Sequence, residues 1–173
     1  MIQNSSRRGA ARNTMLTVTA CLVLAVIAAA ILIPYFTKAR RESRVVQSVA
    51  GVQRIAWAAL EQSPTGGKTT VMSLNQLAAE GLISDDMLVS PFGPVSDARG
   101  DYWSYPDPID EESIADPSML LILYDRAMYE SDDYVAVAFL DGDATVISPG
   151  ELDELIRQPP NGAVDYNLPA RGP

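Results

Sequence analysis

From Met15 to Phe36 the chain runs for 22 residues, MLTVTACLVLAVIAAAILIPYF, without a charged side chain. Wound as a helix with about 1.5 Å of rise per residue, such a run covers the roughly 30 Å hydrocarbon core of a bilayer. In hydrocarbon every backbone N–H and C=O must be satisfied within the segment, and a helix is the single-segment solution. A removable secretory signal fits less well, because its apolar region spans about 7 to 15 residues and ends at a small-x-small site near a polar boundary. Here Ala28-Ala29-Ala30 is buried mid-run and Lys38-Ala39-Arg40 is basic. Val18-Thr19-Ala20-Cys21 has the local look of a lipoprotein cleavage box, but only Met15 to Ala20 precede the cysteine, too short an apolar stretch for that route. The run is therefore expected to be a transmembrane anchor.

Flanking charge does not orient it. Arg7, Arg8 and Arg12 precede the run, while Lys38, Arg40, Arg41 and Arg44 follow, offset by Glu42. The rest of the chain is lopsided: from Ser63 onward five basic residues face 20 acidic ones, a local net charge of −15. Such a surface repels phosphate backbones, so no nucleic acid is expected as a partner. It suits solubility on the outer side of a membrane, and it could attract divalent cations. The chain has no histidine and one cysteine, Cys21, which removes the commonest general base, an internal disulfide and any thiolate metal site.

Beyond the span the helical pattern continues. Pro34 is placed to kink it, yet Val45, Val49, Val52, Ala56 and Ala59/Leu60 recur at steps of three and four, one apolar stripe on a helix reaching about Gln62. That stripe faces either the chain's own sheet or a partner helix. Ser63-Pro64-Thr65-Gly66-Gly67 then breaks the pattern. In the head, Ser73 caps a short helix with Leu74, Leu77 and Ala78 inward and Gly81 as a left-handed stop. Pro91 to Ser118 reads as an ordered loop, because Tyr102, Trp103 and Tyr105 need a surface to pack on. Met119 to Asp125 and Tyr134 to Leu140 read as strands. Asp141-Gly142 supplies a two-residue hairpin turn at positive φ, Asp143 to Ile147 returns antiparallel, and Ser148-Pro149 opens a last helix. The fold class is α+β, with a long N-terminal transmembrane helix continuing into a head with a small antiparallel sheet. The expected segments are 1–14 cytoplasmic, 15–36 spanning, 37–62 amphipathic, 63–157 extracytoplasmic head and 158–173 flexible tail.

Candidate chemistry is sparse. Asp97, Asp101, Asp107 and Asp110, with Glu111 and Glu112, could wrap a calcium ion with loop carboxylates and carbonyls. Asp141-x-Asp143 has the oxygens but not the spacing of a calcium loop, since Glu151 comes ten residues after Asp141 with strand residues between. No glycine-rich phosphate loop follows a strand, and no serine has a histidine to activate it, so enzymatic activity is not expected.

An apolar helix ending in proline, the basic KARRESRVV stretch, LAAEGLISDDMLVSP, and the closing VAVAFLDGDATVISPGELDELI together resemble the type IV pilin-like, or type II secretion pseudopilin-like, proteins abundant in planctomycetes and related bacteria. These carry a prepilin-type N-terminal segment and a C-terminal module in which nine residues separate a histidine from Asp-Gly. The resemblance covers about Arg12 to Ile156. It implies a non-enzymatic structural or assembly protein, single-pass in the inner membrane, with a periplasmic head and other pilin-like or secretion-system subunits as partners. An alternative is a membrane-tethered module binding calcium or a ligand through its acidic loop. With Pro34 on the family's helix proline, Arg12 falls on the glycine before the cleavage point, Asn13 on the usual methylated phenylalanine and Thr17 on the glutamate that pairs with a neighbouring amino terminus. That makes the prepilin site degenerate. Ser131 stands where the family's histidine would be, and Asp143 where a second often follows Asp-Gly.

Overall fold

The structure is a computed structural model that describes residues 5–61, 72–94, 100–105, 109 and 114–169, with side chains from residue 18 onward in the first helix. The chain divides into two compact units, Met1–Ser43 and Arg44–Pro173. The helix α1, Ser5–Glu61, begins in the first and ends in the second, and it is helical through Pro34. In the first unit, residues 18–43 are exposed on every side of the helix, and Thr37 Oγ1 donates to the Pro34 carbonyl at 2.9 Å. A helix stretch that is apolar and exposed on every side, as residues 18–36 are, is suited to lipid rather than water, and Val18–Leu60 qualifies by length and hydropathy as a candidate membrane span.

The second unit is built on a four-stranded antiparallel sheet in the order β1-β2-β3-β4: Tyr102–Ser104, Leu121–Asp125, Val135–Phe139 and Ala144–Ile147. One face packs against Val52, Ile55, Ala56 and Ala59 of α1 and Leu77 of α2 (Leu74–Ala79), with Ile122, Leu123, Ala136 and Ala138 beneath them. The stripe read from the sequence thus covers the chain's own sheet, with Val45, Val49 and Leu60 at its margin. The other face is aromatic. Trp103, Tyr124 and Tyr129 meet Val135, Val137, Leu152 of α4 (Pro149–Leu155) and Tyr166, with the Trp103 and Tyr166 rings 4.5 Å apart.

Local chemistry explains most of the element ends. Ser73 and Gln76 form a reciprocal capping box on α2, and Ser148 and Glu151 form another on α4. Gly81, at φ 71°, ends α2 while Leu82 N–H reaches back to the Leu77 carbonyl. The β3–β4 connection differs from the expected two-residue turn. Gly142 N–H bonds the Phe139 carbonyl, Phe139 N–H bonds the Asp143 carbonyl, and only Gly142 has positive φ, 86°. The loop is thus three residues, Leu140 to Gly142, with glycine at its left-handed position. Asp141 contributes through its side chain, which accepts from Asp143 N–H at 3.0 Å.

Three elements depart from the sequence reading. The loop Pro91 to Ser118 contributes strand β1, and a helix α3, Arg126–Ser131, follows β2 without a break. The segment after α4, expected to fray, is packed: Asn161 and Tyr166 are buried. Asn161 Oδ1 accepts from Leu121 N–H, and its Nδ2 donates to the carbonyls of Met119 and Leu155. The Tyr166 hydroxyl also donates to Asn161 Oδ1 at 2.7 Å, and the Tyr166 carbonyl accepts from the Tyr124 hydroxyl.

Candidate functional site

Where the second half of α1 meets the sheet, polar groups interrupt the apolar seam. The reason lies in β2. Register shifts between Leu121 and Leu123, leaving Ile122 as an extra residue, so Ile122 and Leu123 both face α1. The bulge reverses the alternation beyond it: Tyr124 points to the aromatic face, and Asp125 turns toward α1.

Asp125 has no accessible surface. Its Oδ2 accepts from the Ser48 hydroxyl of α1 at 2.5 Å and the Ser90 hydroxyl at 2.8 Å, and its Oδ1 accepts from Met128 N–H at 2.9 Å, capping α3. One carboxylate so joins the long helix, the loop after α2 and the short helix α3. All three of these donors are neutral. A second carboxylate comes close, because Asp101 Oδ2 accepts from Ser90 N–H at 3.0 Å. Burial, which disfavours the charged form, raises the Asp125 pKa; the hydrogen bonds from Ser48, Met128 and Ser90 oppose this and the Asp101 charge adds to it. Burial likewise raises the pKa of the neighbouring Tyr102 phenol, with the charges of Asp125 and Asp101 acting the same way. The phenol oxygen lies beside Gly51 of α1, where a Cβ would meet it at an ordinary contact distance of 3.5 Å.

Chemically this cluster can hold a proton and fasten elements together. Ser48 and Asp125 are both inaccessible, so a substrate cannot reach the hydroxyl–carboxylate pair. A cavity of about 220 Å³ does open beside β1, between Ser73, Asn75, Trp103 and Asn167.

The sequence-based candidates are scattered by comparison. Asp101 is committed to Ser90 through its side chain, and its carbonyl accepts from Arg126 N–H at 2.8 Å. Asp97, Asp107 and Asp110 lie outside the described residues. Among the described residues no group of three or more acids, cysteines or histidines is arranged to hold a metal ion. Arg12, Asn13 and Thr17 lie on the α1 backbone, their side chains outside the described residues. Asp141 and Gly142 belong to the hairpin loop, whose Gly142 carbonyl accepts from Trp57 Nε1 of α1 at 3.0 Å. Ser131 bonds back to the Ala127 carbonyl at 2.6 Å within α3.

Sequence reasoning passed over Ser48, Ser90, Asp125, Trp57 and Asn161. For Ser48 and Asp125 a signal existed. Ser48 lies three residues after Val45 and four before Val52, a polar residue on the apolar stripe, and Asp125 ends the apolar run MLLILYD three residues before Met128, the spacing of an N-cap. Comparison of the chain with protein-family models, curated proteins and solved structures finds no match.

Proposed function

We propose that the chain is a non-enzymatic, single-pass membrane protein of pseudopilin-like type, a structural or assembly component of a type II secretion or type IV pilus-like system. Its helix sits in the inner membrane and its head lies on the extracytoplasmic side. The observation that carries the reading is the change of environment along α1: residues 18–36 are exposed and apolar all round, whereas Val52, Ile55, Ala56 and Ala59 are buried against a small antiparallel sheet. A helix divided in this way between lipid and its own head has packing as its mechanism. In the membrane it meets partner helices, and outside it the acidic head meets partner domains.

The prepilin resemblance adds a specific expectation. Arg12, in place of glycine, obstructs the prepilin peptidase, and Thr17 removes the buried carboxylate that draws a subunit into a filament. The chain then keeps a pilin's helix without maturing or polymerising as one. The mass of the mature protein isolated from membranes tests this. A species that retains Met1, or has lost only that methionine, supports the uncleaved anchor; a species beginning at Asn13 overturns the reading of Arg12.

A further inference from the structure

We infer that the outer edge of β4 is a docking surface for an extended segment of a partner protein, one whose lysines or arginines alternate with apolar residues and which joins the sheet as an added strand. The inference rests on the reading above only in expecting the head to meet a partner protein; the anchor and its processing play no part in it.

Strand β4 lies at the end of the sheet order and pairs with β3 alone. Phe139 N–H bonds the Asp143 carbonyl, so these two residues face each other as a hydrogen-bonded pair. In an antiparallel ladder that state recurs at every second residue, here at Val137 with Thr145 and at Val135 with Ile147. Ala144 and Val146 therefore turn their N–H and C=O groups away from β3, and none of these groups has a partner among the described residues. Sheet edges are commonly blunted with charged side chains or proline. The strand ATVI carries neither. The surface beside it is apolar. Ala144 packs toward α1, alternation puts Val146 on the same face, and Val146 is 38% exposed. Trp57, whose Nε1 donates to the Gly142 carbonyl at the hairpin tip, is 56% exposed. Val46, about three turns earlier on the same side of α1, is exposed as well.

Charge selects the occupant. From Ala127 to Ile156, the stretch that holds β3, β4 and α4, there are eight acids and no lysine or arginine. Asp143 precedes β4, Glu151 follows it, and both are exposed. A second copy pairing edge to edge would set these acids against their equivalents, whereas a strand bearing cations meets them with opposite charge. Main-chain hydrogen bonds hold such a strand, and its alternate side chains meet the apolar flank and the acids.

The test titrates the full chain, in a zwitterionic detergent, with the capped synthetic peptide KVKVKVK and follows amide hydrogen exchange by NMR. The expected result is slowed exchange at the Ala144 and Val146 amides, with binding about ten-fold tighter than that of the same peptide carrying glutamate in place of lysine. Val146→Pro removes an outward N–H and spares the ladder to β3, so it should weaken the lysine peptide about ten-fold. Asp143→Asn with Glu151→Gln, which leaves the edge intact and keeps a capping box on α4, should weaken it to a similar extent. No binding of the lysine peptide overturns the inference and leaves the mass test of the N-terminus untouched. Equal binding of KPKPKPK, which cannot build a ladder, also overturns it, in favour of contact by charge alone. Slowed exchange of the same two amides when the chain is concentrated without peptide overturns it in favour of a second copy as the occupant.

Discussion

Asp125 shows how one residue ties local structure to stability. Its pKa is raised in the fold, so between the ordinary carboxylate value and the raised one the folded state binds more protons than the unfolded state. Stability then falls as pH rises through that window. Glu151 acts in the opposite direction: hydrogen bonds from the Ser148 backbone N–H and hydroxyl lower its pKa, a contribution present above its unfolded value and lost as pH falls. Asp125→Asn should abolish the Asp125 slope. It keeps an oxygen to accept from Met128 N–H, and Ser48 and Ser90 can turn from donors into acceptors. Denaturation of the full chain in detergent at several pH values should show the variant at least as stable as the unaltered protein near neutrality. Asp125→Ala, by contrast, removes the cap and strands two buried hydroxyls, a loss of about 2 to 3 kcal/mol. A variant Asp125→Asn that kept the slope would place its origin elsewhere.

Asn161 presents the same economy without charge. Its amide answers Leu121 N–H, the Met119 and Leu155 carbonyls and the Tyr166 hydroxyl. Asn161→Ala leaves a buried N–H and carbonyl facing an apolar wall, and the expected cost in the same denaturation experiment is about 3 kcal/mol. Asn161→Asp should cost at least as much, because it trades two donors for a buried charge opposite carbonyl oxygens.

At the scale of elements, the hairpin β3–β4 is pinned to α1 at its tip. A Cβ on Gly142 would stand 3.0 Å from Trp57 Nε1 and 3.2 Å from Trp57 Cδ1, at a φ of 86°. Gly142→Ala therefore adds backbone strain to a steric conflict, with an expected loss of about 1 to 3 kcal/mol. Trp57 fluorescence should report displacement of its ring in the same variant, whereas Asp141→Asn, which leaves the glycine in place, should leave that signal unchanged.

The elements also show what could be read in advance. The caps Ser73 and Ser148 were legible because a cap and the helix it opens lie within one turn of one another, as Ser148 and Glu151 do. The stripe on α1 was legible because helical periodicity repeats often enough to stand out. Helix α3 was not, since its cap Asp125 is also the last residue of a strand and its first residue is a buried arginine. The bulge at Ile122 has no local mark either. Any residue of an apolar run can be the extra one, and the choice is made by the partner strand. The cluster at Asp125 depends on that bulge, so the site's members were visible singly while their meeting point was not.

For the molecule as a whole, charge and hydropathy divide the chain much as its two compact units do, with all 22 acids beyond the apolar run and all but Glu42 in the second unit. The amphipathic part of α1 from Arg44 belongs to the same compact unit as the head. Its buried side chains are core residues of that unit, so a head produced without them would lose Val52, Ile55, Ala56 and Ala59 together with the Ser48 bond to Asp125.

The packed segment after α4 carries a consequence for the order of synthesis. Asn161 and Tyr166 complete the hydrogen bonding of β2 from 40 and 45 residues farther along the chain. Strand β2 leaves the ribosome well before the residues that complete it, and waits for the 40 to 45 that follow. A nascent chain halted before Asn161 would carry a sheet whose Leu121 N–H is unanswered, and it should be cut by proteases faster than the complete head.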